Sequence, residues 1–166
     1  MSLVRSSAAA AAASVLFLVS APLGQAAGGA PPAPSSNVAD ELTEAQLMID
    51  RKDWTGALVE LKRALRKDRR NPDVHNLMGY SYRKSGQLDE AFDSYRTALR
   101  LDPNHRGAHE YIGEAYLQVN QADKAREHLA ALKRICGEQC GEYQELSKAL
   151  SAWQPPAKTA ATTTAK

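Results

Sequence analysis

The chain has 166 residues and a mass of 18.0 kDa, which suits one domain with tails. Hydrophobic residues make up 43%, charged residues 24% and aromatics 6%, and 21 basic against 19 acidic groups leave a formal charge of +2. This profile excludes collagen, a multi-pass membrane protein and a disulfide-dense mini-domain. The balanced charge also argues against a whole-chain polyanion binder, so no nucleic-acid partner is expected.

Residues 1–26 read as a secretory signal peptide. Arg5 forms a short positive n-region, Ala8 to Val19 an apolar run, and Pro22 and Gly24 a break before the small-x-small pattern Gly24-Gln25-Ala26. The apolar run falls short of the ~20 residues of a spanning helix, so no stable membrane insertion is expected after cleavage. The expected location is the periplasm of a bacterium, or outside the cell. Residues 27–37 are a Gly/Pro/Ser-rich linker, and residues 154–166 (QPPAKTAATTTAK) form a tail without large apolar groups to offset ordering entropy. The folded part is expected over residues 38–153.

Within that part the sequence repeats with a period of about 34 residues. His75, Gly79, Tyr82, Ala91 and Tyr95 fall in register with His109, Gly113, Tyr116, Ala125 and Leu129, and Ala57, Leu61, Ala64 and Leu65 with Ala91, Tyr95, Ala98 and Leu99. The period and these residues resemble the tetratricopeptide repeat (TPR). Residues 72–105 carry its pattern almost fully in Leu77-Met78-Gly79, Tyr82, Gly86, Ala91, Tyr95, Ala98 and Pro103. Residues 106–139 and 38–71 match in part: Gly137 and Arg69 stand where the closing proline is expected, and Ala45 takes the place of the small glycine. The resemblance implies an all-α, right-handed solenoid of helical hairpins, with three repeats and a capping helix over residues 142–153, in which Tyr143, Leu146 and Leu150 stay in phase. Seven helices are expected. Gly79 and Gly113 permit close approach, and Gly86 supplies a positive-φ turn.

Cys136 and Cys140 are the only cysteines and lie at the joint before the cap. In an oxidising compartment they are expected to pair, closing a short ring that contributes about 2 kcal/mol in the chain-entropy model. The alternatives are a metal site, for which two cysteines supply too few ligands, and thiol exchange, for which C-x3-C departs from C-x-x-C. No catalytic or cofactor motif is present: there is no phosphate-binding glycine loop, G-x-S-x-G or H-E-x-x-H. His75 and His109 read as packing residues at equivalent positions, and His105 and His128 as isolated.

The resemblance also implies a concave groove lined by the first helix of each unit, holding a protein or peptide partner. Carried over by position, the groove set is Leu42, Gln46 and Ile49, then Asn76, Tyr80 and Arg83, then Glu110, Glu114 and Leu117. This lining runs from apolar through a polar stretch with one cation to acidic, which suggests a partner segment with an apolar end and a basic end. The expected function is a non-enzymatic scaffold or adaptor in the bacterial cell envelope. Self-association is an alternative if Leu42 and Ile49 are exposed. The basic run Lys62, Arg63, Arg66, Lys67, Arg69 and Arg70 reads as a solvated face, with contact to anionic lipid or another acidic surface as the alternative.

Overall fold

The computed structural model describes residues 37–155. The signal peptide, all of the linker but Asn37, and the tail from residue 156 lie outside the described residues. Seven helices follow one another: α1 Val38–Asp50, α2 Trp54–Lys67, α3 Pro72–Lys84, α4 Leu88–Leu101, α5 Arg106–Gln118, α6 Ala122–Cys136 and α7 Gly141–Ala152. No strand occurs among the described residues. Asn37, assigned to the linker by sequence, is the N-cap of α1: its side chain accepts from Asp40 N, and the Asp40 carboxylate accepts from Asn37 N. This reciprocal pair satisfies two backbone donors that have no partner within the helix. The last helix starts one residue before the expected span, and Trp153 is its C-cap rather than its last turn.

The helices pair as three hairpins, α1 with α2, α3 with α4 and α5 with α6, and α7 closes the row against α5 and α6. Each hairpin turns by the same device. Lys52, Gly86 and Asn120 stand one repeat period apart and have φ of 60°, 84° and 59°. The residue after each donates its N–H back across the turn: Asp53 to Met48 O, Gln87 to Tyr82 O, and Gln121 to Tyr116 O, at 2.8 to 2.9 Å. These bonds satisfy carbonyls at the helix end and require the left-handed conformation that glycine adopts freely and asparagine tolerates. Lysine has no such allowance, so the first turn carries strain that the second does not.

Between hairpins a histidine performs a second repeated task. The Nε2–H of His75 donates to Arg69 O at 3.1 Å, and that of His109, its counterpart one period later, to Pro103 O at 3.0 Å. Each ring ties the start of one unit to the end of the previous one, so these are packing residues as expected.

The core is a chain of small clusters rather than one centre. Ala45, Leu58, Leu61, Ala64, Val74 and Met78 form the first, and Ala91, Phe92, Tyr95, Ile112 and Ala115 the second. Leu117, Ala122 and Ala125 form the third, under Trp153 and Leu150. Tyr82 packs against the first two clusters and Tyr116 against the last two, so these repeat-equivalent tyrosines join neighbouring units. The close approaches at the glycines are made by side chains rather than by helix backbones. A Cβ on Gly79 would lie 2.5 to 2.9 Å from the Tyr95 ring, and one on Gly113 2.6 to 2.8 Å from the Leu146 methyls. Leu129, in the register of Tyr95, is too short for that role, and the capping helix supplies Leu146 instead.

Cys136 and Cys140 are disulfide-bonded, with Cα atoms 5.9 Å apart, across the bend where α6 gives way to α7. Both sulfurs are thereby engaged, and a thiol or metal function at this pair would first need the bond reduced. The basic run on α2 is partly neutralised. Lys67 Nζ bonds both carboxylate oxygens of the buried Glu41 at 2.7 and 2.9 Å, joining α1 to α2. Arg63 pairs with Glu60 at 3.1 Å.

The turn series gives a direct test. Lys52→Gly should raise stability by about 1 kcal/mol, because it removes a side chain from a left-handed residue, and Gly86→Ala should lower it by a similar amount. Urea denaturation followed by circular dichroism measures both, and no gain from Lys52→Gly would contradict strain at that turn.

Candidate functional site

The first helices of the three hairpins present three cavities in sequence. The first, about 480 Å³, is lined by Leu42, Thr43, Gln46 and Leu47 of α1 and by Asp73, Asn76 and Leu77 of α3. The second, about 310 Å³, shares Gln46 and Leu77 and adds Ile49, Asp50, Lys52, Trp54, Tyr80 and Tyr111. The third, about 330 Å³, is lined by Arg83, Glu114, Leu117 and Gln118 with Ala149, Ala152 and Trp153 of α7. Eight of the nine groove residues read from the sequence therefore line these cavities, and Glu110 lies on α5 one turn before Glu114.

Arg83 differs from the expected open cation. Its side chain is 3% exposed and its guanidinium bonds the Glu114 carboxylate at 2.6 Å. Its Nε–H points to the Tyr95 hydroxyl at 3.4 Å. The same guanidinium lies 5.5 Å from the Tyr80 ring centre and 5.7 Å from that of Tyr111. The charge is consumed inside the protein, and Glu114 with it. Tyr80 sits between Trp54, at 6.1 Å with its ring tilted 69°, and Tyr111, at 4.9 Å. It thus both packs and lines the groove.

Ile49 is also corrected: it is 7% exposed, so the suggested self-association surface of Leu42 and Ile49 is not present in that form. Leu42 is half-buried against the first core cluster, and the exposed large apolar groups are Leu47 and Val59. Trp54, Tyr111 and Leu47 belong to the groove and escaped the sequence reading. Tyr111 was within reach of it, because it stands one repeat period after Leu77, which lines the same cavities.

Two acceptors in this region lack partners among the described residues. Asn76 is 7% exposed, and its Oδ1 is buried without a hydrogen bond. Glu110 makes no hydrogen bond or ion pair among the described residues. Burial, reinforced by Glu114, Glu142 and Glu145 and opposed by Arg83, raises its carboxyl from 4.5 to about 7. Burial, with a further push from Glu110, also raises the Tyr111 phenol to about 12, which keeps it protonated at neutral pH.

The remaining histidines are not isolated. His105 caps α5, its Nδ1 accepting from Ala108 N, while its Nε2 meets Asp73 at 3.1 Å. His109 uses its Nε2–H on Pro103 O, so its Nδ1 accepts from His128 Nδ1–H at 2.9 Å. His128 stacks on Tyr116 and is pushed down to about 4 by burial and by His109, so the pair is neutral at pH 7.

A family model described as TPR repeat matches residues 79–120, which run from α3 through α5. Solved structures share the fold. The TPR2B domain of yeast Sti1, in a structure titled as a pHsp70 complex, aligns with a TM-score of 0.64 at 17% identity, over 69% of this chain and 93% of that one. The first TPR of Spaghetti (RPAP3), titled as bound to the HSP90 peptide SRMEEVD, aligns at 0.60 and 13% identity, over 70% and 94%. The translocator chaperone SycD of Yersinia enterocolitica type III secretion aligns at 0.61 and 18% identity, over 70% and 87%. No curated protein matches by sequence.

Two measurements probe the electrostatics. Arg83→Met should lower stability by about 2 kcal/mol, since it strands Glu114 and the Tyr95 hydroxyl, and adding Glu114→Gln should recover part of the loss in a double-mutant cycle. For Glu110, the folded state holds an extra proton between pH 4.5 and about 7, so its contribution to stability falls as pH rises through that window. Glu110→Gln should therefore stabilise the protein above pH 7, by about 1 kcal/mol after allowance for solvent screening, and leave it unchanged below pH 4.5. Thermal melts across that range show the difference.

Proposed function

We propose that the chain is a non-enzymatic scaffold that holds a protein or peptide segment along the face of α1, α3 and α5. The observation that carries this reading is the series of cavities on that face, the first two sharing Gln46 and Leu77, with the Trp54–Tyr80–Tyr111 aromatic row lining the second. A row of first helices spaced by repeat geometry offers a long, shallow binding strip with side-chain pockets along it, which suits an extended or helical segment. Structures of the same fold are titled as complexes with pHsp70 and with an HSP90 peptide, which supports a peptide as the class of ligand. The acidic sequence of the latter, SRMEEVD, does not suit this groove, because Arg83 is already bound to Glu114 and Glu110 adds a carboxylate.

We place this activity in the bacterial envelope or outside the cell. The apolar stretch Ala8–Val19 with its small-residue cleavage pattern supports export, and a disulfide between Cys136 and Cys140 suits an oxidising compartment. Intact mass of the protein recovered from the envelope should show a chain beginning at Ala27. A photo-crosslinking residue placed at Gln46 or Leu47 should form adducts with a partner in cells, whereas one at Val59, exposed on α2 away from the cavities, should not. Equal labelling at all three positions would sink the groove assignment.

A further inference from the structure

The groove has acceptors without donors. Asn76 Oδ1 is buried and unbonded, and its amide nitrogen would stand 3.1 Å from a Cβ on Gly107, which places the side chain against α5. Gly107 and Glu110 are three residues apart on that helix and so share a face. The unpaired carboxylate and the unpaired amide oxygen thus belong to neighbouring helices, at positions one repeat period apart. Each costs free energy as it stands, because a desolvated acceptor has lost water and gained nothing.

The charges around Glu110 make the deficit specific. Its own helix contributes Glu114, Tyr111 and Arg106. From α3 come Arg83 and Tyr80, and from α7 Glu142 and Glu145. Arg83 is committed to Glu114, and Arg106 meets Glu142 at 3.5 Å. The tyrosines are uncharged at neutral pH, and their rings already lie beside cations, Arg83 at 5.5 Å from Tyr80 and 5.7 Å from Tyr111 and Lys84 Nζ at 5.3 Å from Tyr80, yet Glu110 itself has no ion-pair partner among the described residues.

Resting on the groove reading above, we infer that the bound segment is basic: a lysine or arginine of the partner pairs with Glu110 beside Tyr80 and Tyr111, its neighbouring apolar side chain fills the cavity at Leu42 and Leu77, and a donor from the segment reaches Asn76 Oδ1. Pairing favours the ionised carboxylate, so binding releases the proton that Glu110 holds below about pH 7 and tightens as pH rises. The buried Arg83–Glu114 pair is left untouched, and specificity arises because an acidic segment would set its carboxylates against Glu110, which no ion pair among the described residues offsets.

Selection of a random dodecapeptide library on the immobilised full chain tests this, with Glu110→Gln and Glu110→Arg selected in parallel and Leu47→Asp as a control for binding in the groove. The wild type should enrich peptides with lysine or arginine next to an apolar residue. Their affinity, read by fluorescence anisotropy, should rise by up to about tenfold from pH 6 to pH 8. Glu110→Gln should flatten that rise, and Glu110→Arg should abolish the basic preference while still selecting peptides. Groove-dependent peptides without a basic excess, or the same basic peptides on Glu110→Arg, would overturn this inference and leave the scaffold reading standing. If no peptide depends on Leu47, the scaffold reading falls too.

Discussion

The guanidinium of Arg83 sets the terms for the rest of the structure. It sits in α3, bonds a carboxylate of α5 and approaches the hydroxyl of Tyr95 in α4, and lies near two tyrosine rings that floor the groove. A planar, permanently charged group with donors in several directions does this where a lysine would not. Its burial is tolerable because the charge is met at 2.6 Å and further donors find acceptors. The same contacts fix the orientation of Tyr80 and Tyr111, so the aromatic floor is positioned from beneath. The consequence for recognition is equally direct. The arginine of the groove is turned inward, while Lys52 lines the second cavity and Glu110 is left on α5 as a carboxylate without an ion-pair partner among the described residues.

Repetition explains how a chain of this size builds such a strip. The hairpins reuse three parts at the spacing of the repeat: a left-handed turn residue, a histidine tied to a carbonyl near the end of the previous unit, and a small residue that admits a large one. Because each cluster touches only its neighbours, no part needs a distant partner to be satisfied. The ends are where the scheme changes. At the start, Asn37 and Asp40 cap α1, and Glu41 pairs with Lys67 to hold the first hairpin shut. At the far end Leu146 enters the space that Tyr95 fills one unit earlier, and the disulfide secures the bend that delivers it.

Much of this was legible in the sequence. The period fixed the three hairpins and the capping helix, since one repeat offset places Gly79 with Gly113 and Leu146 in phase with Ile112. The left-handed turns at Lys52 and Asn120 follow from the same offset once Gly86 is recognised. Most of the groove set also follows, because position in a repeat dictates which face a residue occupies. What did not follow is how side chains from different units pair. Nothing in the spacing says that Arg83 reaches Glu114 rather than solvent, or that His109 meets His128, because both depend on the packing angle between helices. Trp54 was missed for a related reason: it opens a second helix, and only the approach of α3 brings Tyr80 to it.

The unpaired acceptors belong to a different category from the repeat scaffold. Asn76 and Glu110 occupy equivalent positions in consecutive units, and neither finds a partner for its acceptor among the described residues. A buried amide oxygen without a donor and a carboxylate held partly protonated both lower stability. Local rules are obeyed at the turns and joints, with Lys52 the exception in the turns, and the two unpaired acceptors fall together on α3 and α5. Consistency elsewhere makes that concentration informative, since sites where folding rules fail side by side are those where a ligand supplies what the fold withholds.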